Sequence, residues 1–457
     1  MKAFAVRCLH EPTDLLGLRE QINALNLASE EPDPFSTAEF YANFLERGLL
    51  LPQSELQLWF LAVFADTELL GYLALKRVVR RVLGVVTHGL EFLVGHEVDR
   101  PHLVARAEHL EAVSHAVFEY LLERRDQWSW LELQGQTAQS ALDPMQLGLR
   151  LPGHMTRDFP NWENCTIPLR WPTVQQYVQA MSSNMRGELR RRLRRLLGLG
   201  QLEVLSSSDP QATPALFDLY CSIEQRSWKS ATEVAIGGVV QAEYVRGLLA
   251  ADQPMRIVIH IMLLDGAPIA GLICGLFTAP TGATLYALHL AYDSHFAAAS
   301  PGSAVLLMGV RHAIEQGCTS INLLAGFTYY KRRWLAEITP RRSIQVYRHG
   351  SPLAWRRVLG DALRRVRGES QGSTTLDPLR PAQVISTAGP SRRASRGAGQ
   401  LTGTLERGQF AAKIAQAHLG MCETLAASEI AASAAVITES KPPTLLPKHQ
   451  RARSTPA

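Results

Sequence analysis

Alternating apolar and polar positions divide the chain into two similar runs of strand and helix. In the first run an apolar, aromatic stretch over 56–65 ends at a turn, Asp66–Thr67, and 69–76 pairs back as a hairpin. Further strand follows over 82–94. Helical periodicity covers 102–125 (Leu103, Leu110, Val113, Val117, Leu121), and 128–133 returns as strand. The second run repeats the order: strand 256–264, turn Asp265–Gly266, strands 269–277 and 284–293, helix 302–316, strand 320–324. Ahead of both, 14–27 and 37–48 read as helices. Shared landmarks predict an internal duplication. In each run a turn aspartate precedes a strand glycine by five or six residues (Asp66 to Gly71, Asp265 to Gly271). Each last strand ends in a glycine, Gly135 or Gly326. The predicted fold class is α+β.

Composition adds a third region. After Gly368, Ser, Gly, Pro and Arg dominate, and 369–457 reads as a low-complexity, mostly disordered tail. The division expected is 1–155, 156–368 and 369–457. The tail holds ten basic and six acidic residues of a chain whose net charge is +5, which leaves 37 and 36 before it. A nearly neutral body gives no support to DNA binding. The six cysteines (8, 165, 221, 274, 318 and 422) show no C-x-x-C spacing, and the 14 histidines show no metal-ligand spacing. They read as isolated thiols in a reducing compartment, and no metal is expected. The most apolar stretch, 257–277, is broken by His260, Asp265, Gly266 and Pro268, so no membrane span is predicted and the location expected is cytoplasmic. Triad hydrolase, P-loop and dinucleotide motifs are absent.

Five segments could carry chemistry. Ser300-Pro301-Gly302 opens a helix directly after a strand: serine suits the N-cap, proline the first turn, and glycine lets a ligand approach the backbone. Such a helix end binds phosphates. On strand 284–293, strict alternation places Leu285, Ala287, His289, Ala291 and Asp293 on one face and Tyr286, Leu288, Leu290 and Tyr292 on the other. Arg186, Arg190, Arg191, Arg192, Arg194 and Arg195 surround a leucine stripe on one helix and suit phosphate groups. Glu224 and Trp228, four apart on a helix beside Lys229, would put a carboxylate against an indole, where its pKa rises and it can act as a base. After Gly326, Tyr330 could protonate a leaving thiolate and Lys331 could neutralise a phosphate or an oxyanion.

In this order the pieces resemble the GNAT acyltransferase superfamily, and within it the double-domain BioF2-like or CelD-like branch, itself similar to the FemABX peptidyltransferases. The resemblance spans 56–348. It rests on Ser183-Asn-Met-Arg186 with Leu189-Arg190-Arg191, Glu224 with Ser227-Trp228-Lys229, and Asp265-Gly266 with Ala270-Gly271. It continues through Tyr292-Asp293, Ser300-Pro301-Gly302, Gly317, and Gly326 with Tyr330-Lys331. It implies tandem GNAT-like domains, with mixed, mostly antiparallel sheets flanked by helices, and a donor, acetyl-CoA or another acyl-CoA, whose pantetheine enters between strands 284–293 and 320–324. The pyrophosphate would lie near Ser300–Ser303, close to Gly326. An amine acceptor would be acylated directly, with Asp293, His289 or Glu224 as base and Tyr330 as acid. Polysaccharide or cell-envelope metabolism is the expected setting. Two departures stand out: the glycine-rich phosphate loop is reduced to Ser300-Pro301-Gly302, and the family's usual aspartate on the last strand is Asn322. In the first half the matching loop, 97–101, has two acids and no glycine, so only the second half is expected to bind the donor. Alternatives are FemABX-like transfer from aminoacyl-tRNA, which the arginine helix would suit, and a non-catalytic interaction protein.

Overall fold

The computed structural model describes residues 4–48, 56–82, 84–95, 97–231, 236, 239–250, 252–326, 329–356, 359 and 439–440. The tail expected from 369 onward lies outside the described residues, apart from Glu439–Ser440.

The first half contains β1 (Ala5–Leu9), α1 (Pro12–Gly17), α2 (Arg19–Ala28), α3 (Ala38–Asn43), β2 (Leu56–Ala65), β3 (Glu68–Val82), β4 (Val85–Phe92), β5 (Val104–Ala105), α4 (Leu110–Glu123) and β6 (Trp130–Gln136). The second contains β7 (His154–Pro168), α5 (Val174–Ala180), α6 (Ser183–Leu197), β8 (Leu202–Ser207), α7 (Thr213–Gln225), α8 (Val239–Leu248), β9 (Arg256–Leu264), β10 (Ala267–Ala279), β11 (Gly282–Tyr292), α9 (Pro301–Glu315), β12 (Ser320–Ala325), α10 (Tyr329–Arg333) and β13 (Glu337–Arg348). Both predicted hairpins form. Asp66 and Asp265 adopt the left-handed conformation at the turns (φ 57 and 50), which aspartate tolerates better than most residues.

The duplication is visible in the strand order. In each half an antiparallel β2-β3-β4 or β9-β10-β11 unit is followed by a helix, α4 or α9, and then by a strand parallel to the third, β6 or β12. The two units belong to one continuous sheet of order β1-β2-β3-β4-β6-β13-β7-β12-β11-β10-β9-β8, with Glu439–Ser440 added beyond β8. Its centre is an exchange. β13 is the next strand after β12 in the chain yet lies against β6, while β7 is the next strand after β6 yet lies against β12. Neither β7 nor β13 stands out in the hydropathy pattern. The helix expected over 102–125 begins only at Leu110, because Val104–Ala105 pairs instead with Gly71–Tyr72 of β3.

Apolar side chains form three main cores. One face of each sheet half carries helices of its own half, and the two layers merge into one core: Phe60, Tyr72, Phe217, Tyr220, Ile259, Ile273 and Tyr286 share it with α1–α3, α7 and α8. α4 covers the outer face of the first half, and α5, α6 and α9 cover that of the second.

Candidate active site

The strands that position the site part company after three rungs. Thr284–Tyr286 of β11 pair with Ser320–Asn322 of β12, and no pairing follows, although β11 continues to Tyr292 and β12 to Ala325. Both strands bulge at the parting. On β11, Ile273 faces His289 while Cys274 faces Ala287, so Leu288 is the extra residue. On β12, Leu323 and Leu324, between Asn322 and Ala325, oppose the single Cys165 of β7. A bulge re-aims side chains, and this one overturns the expected alternation. Leu285 and Ala287 share the outer face with Leu290 and Tyr292, while Tyr286, Leu288 and Ala291 join the shared core. His289 points to the shared-core side, where its Nε2 lies 3.3 Å from Glu97 Oε1 of the first half.

The end of β12 is held from two sides. Leu324 is left-handed (φ 60), an uncommon state for a branched residue. Its N–H donates to Asn322 Oδ1 (2.7 Å), and Lys331 Nζ donates to the carbonyls of Leu323 (2.8 Å), Leu324 (3.4 Å) and Ala325 (3.0 Å). Lys331, expected at a phosphate or an oxyanion, is therefore a buried clamp on the strand end, and burial lowers its pKa. Asn322 Nδ2 reaches Asp99 of the first half (3.1 Å), so the departure from aspartate makes a donor for a buried carboxylate.

The two halves differ at the duplicated glycine. Gly135 and Gly326 both need positive φ (70 and 85). A Cβ on Gly135 would meet Trp162 at 2.8 Å and Pro101 at 2.9 Å, whereas Gly326 has open space around it. The loop 97–101 thus fills the first half's counterpart of the opening.

Beside that opening lies the loop from Ser294 to the start of α9. Ser300 does not cap the helix as its sequence context predicts: it is left-handed (φ 50, ψ 57), and its hydroxyl turns back to Ala297 O (3.3 Å). Pro301 has no N–H and Ser303 N–H donates to Ser300 O (3.0 Å), which makes Gly302's amide the first-turn donor. Gly302 also answers to packing, since a Cβ there would come within 3.0 Å of Tyr292 and 3.2 Å of Leu290. The arginine helix, α6, runs alongside. Arg192 donates to Ser303 Oγ (3.1 Å) and Arg195 to Ala298 O (2.7 Å). Glu188 pairs with Arg333 and Arg192, and the Arg333 hydrogen bond above all holds its carboxyl below the usual range. Arg186 is spent on the carbonyls of Gln179 and Met181, and Arg190 Nε is buried without a hydrogen bond among the described residues.

Glu224 and Trp228 do not meet as expected. α7 ends at Gln225, so four-residue spacing no longer keeps them on one face: Glu224 is 1% exposed and Trp228 52%. Glu224 instead accepts from Tyr220 OH (3.4 Å) and Ile236 N (2.5 Å). Lys229 sits close enough for Glu224 to oppose the pKa lowering that burial imposes. Tyr330 is 46% exposed on α10.

Asp293 caps the 294–299 turn through His295 N (3.0 Å) and accepts from Arg226 Nε (2.7 Å). Burial works against its charge, but Arg226 and His295 outweigh it and hold the carboxyl below the ordinary aspartate value. Folding therefore favours the ionised form. Its contribution is present above the ordinary aspartate range, about pH 4, and is lost as pH falls through the lowered folded value. Acid unfolding of Asp293→Asn should fall off less steeply below that range than wild type, as followed by circular dichroism.

Among the described residues no helix is long and apolar enough to cross a membrane, and no group of three or more His, Cys, Asp or Glu is placed to hold a metal.

Residues 183–332, from α6 to α10, match the family model described as an acetyltransferase (GNAT) domain, about a third of the chain. Similar solved structures include a conserved protein of unknown function from Bacteroides thetaiotaomicron VPI-5482 (9% identity, covering 75% of this chain and 100% of that one, TM-score 0.47). FemX (11%, 71% and 95%, 0.47) and a tandem GNAT protein from the clavulanic acid biosynthesis pathway (12%, 76% and 99%, 0.44) are others. No curated protein sequence matches the chain.

Proposed function

We propose that the protein is an acyl-CoA-dependent N-acyltransferase, with acetyl as the group transferred and a small amine of polysaccharide or cell-envelope metabolism as acceptor. The observation that carries this reading is the separation of β11 and β12 after Asn322, with both strands bulged and Gly326 open beside them. An extended pantetheine arm can take the place of the missing rungs. Its diphosphate would then lie at the Ser300–Ser303 turn, where the α9 dipole, the Gly302 amide, Arg192 and Arg195 supply positive charge. The plugged glycine of the first half supports a single donor site.

In this reading His289, backed by Glu97, takes a proton from the acceptor amine. The amine nitrogen attacks the thioester carbonyl, the C–S bond breaks, and Tyr330 protonates the departing sulfur. Asp293 serves the loop rather than the chemistry, committed as it is to Arg226 and His295.

The test is thermal stabilisation by coenzyme A, since a ligand that binds only the folded state raises its stability by about 2.7 kcal/mol at a hundred times Kd. Acetyl-CoA and CoA should both shift the melting temperature, and Arg192→Ala with Arg195→Ala should weaken binding about tenfold. No shift with either ligand removes the reading. Binding of aminoacyl-tRNA that falls steeply with salt would replace it with the peptidyltransferase alternative.

A further inference from the structure

A second opening lies on the opposite face of the same strands, between the two halves. It is a cavity of about 200 Å³. Its floor follows from sheet register. Thr284 and Ser320 are one rung, with hydroxyls 3.0 Å apart, and Tyr286, Asn322 and Thr166 align as the next. Alternation keeps all five on one face. That face is apolar elsewhere, where it carries α7 and α8, and Phe277 and Ala279 bring that character to one side of the cavity, but its floor is hydroxyl and amide. The first half supplies the roof, through Glu30, Glu31 and Pro32 between α2 and α3, and Arg100 after β4. The Tyr286–Asn322 rung is the last before β11 and β12 separate, so the cavity abuts the opening assigned above to the thioester.

The charge balance inside is negative. Arg100 lies 3.3 Å from Asp33 Oδ2 and 3.7 Å from Asp99 Oδ1, two carboxylates only 2% and 1% exposed, and it also donates to Tyr286 OH (2.8 Å). Arg341, buried nearby, acts on the same carboxylates and on Glu31, so two guanidinium charges face four carboxylates once Glu30 is included. Glu30 and Glu31 are exposed at the cavity and make no ion pair among the described residues. An anion would meet a surplus of carboxylates, and a purely apolar amine would strip water from the hydroxyl floor without replacing its hydrogen bonds. A cationic amine that carries its own hydroxyl groups satisfies both walls.

We infer that this cavity is the acceptor site and that its ligand is a small polyhydroxylated amine of the amino-sugar class. Glu30 and Glu31 attract the ammonium, and Thr284, Ser320, Thr166 and Asn322 receive the hydroxyls. The inference rests on the acyl-transfer reading. After the ammonium loses one proton, the amine gives up a second as its nitrogen forms the C–N bond, and the released thiol carries a proton away. The products are an amide and free coenzyme A.

Calorimetric titration of the full chain tests it, with D-glucosamine, D-glucose and n-hexylamine as probes and coenzyme A titrated separately. Glucosamine should bind at least tenfold more tightly than either of the others. The exposed pair Glu30→Gln with Glu31→Gln should cost about tenfold in glucosamine affinity and leave glucose and coenzyme A unchanged, while Thr284→Val should weaken both sugars. Equal affinity for glucose and glucosamine, preference for hexylamine, or glucosamine binding indifferent to the glutamate changes would each overturn the inference. Coenzyme A binding without any glucosamine binding overturns this inference alone. Glucosamine binding without coenzyme A binding supports the cavity and removes the donor reading.

Discussion

Replacing His289 by glutamine is expected to lower kcat about 100-fold to 1,000-fold with little change in the affinity for acyl-CoA. A positioned base is worth roughly 10²–10⁴ in rate, and His289 stands at the β11 bulge with its Nε2 3.3 Å from a carboxylate that is 3% exposed. Glu97→Gln keeps the shape of that partner and removes its charge, so it should lower kcat about tenfold while the KM for the donor holds. Glu97→Asp should recover part of the loss. A steady-state comparison of the three variants checks this, with release of free thiol as the assay. Wild-type turnover in His289→Gln would return the search for a base to Glu224, a buried candidate that is not committed to an arginine as Asp293 is. Because Glu97 belongs to the first half and His289 to the second, the expected loss in Glu97→Gln would show that the half whose own opening is plugged still contributes to the chemistry of its neighbour.

The second large effect is expected at Lys331. Changing it to methionine preserves much of the apolar stem and removes the donor to three carbonyls. Each buried acceptor left unpaired costs about 1–3 kcal/mol; water can reach the partly buried Ala325 end, so a loss of about 3 kcal/mol is expected overall. It should appear in urea unfolding as a lower midpoint at unchanged slope. Donor binding should weaken as well, because the freed strand end forms one wall of the opening. If Lys331→Met is as stable as wild type yet no longer binds coenzyme A, the lysine acts on the donor phosphates directly, as its sequence context proposes.

What could be read from the chain follows from which interactions are local. The hairpins were legible because Asp66-Thr67 and Asp265-Gly266 announce their turns, and the leucine stripe of α6 because helical spacing repeats within four residues. The faces of β11 were not. One extra residue at Leu288 reverses every side chain beyond it, and nothing in the alternation betrays where a strand bulges. In the sequence Glu97 reads as a poor phosphate ligand, and its partner lies nearly 200 positions away. The arginines of α6 read as one basic surface, whereas packing divides them: Arg186 binds carbonyls, Arg192 and Arg195 reach the α9 loop, and Arg190 turns inward. Lys331 looked like a solvated or catalytic cation because a sequence does not reveal three carbonyls left over at the end of a short strand.

The exchange of β7 and β13 sets a schedule for synthesis. β13 ends at Arg348 and pairs with β6, which ends at Gln136, so the first half lacks a neighbour along one edge until about 210 further residues have been made. At 5–20 residues per second that wait is roughly 10–40 s. Throughout it, β6 presents an unpaired ribbon of backbone donors and acceptors to its surroundings. A nascent chain stalled before the last strand would thus be prone to stick to its own kind, and folding yield should depend on translation rate more than on the stability of the finished molecule.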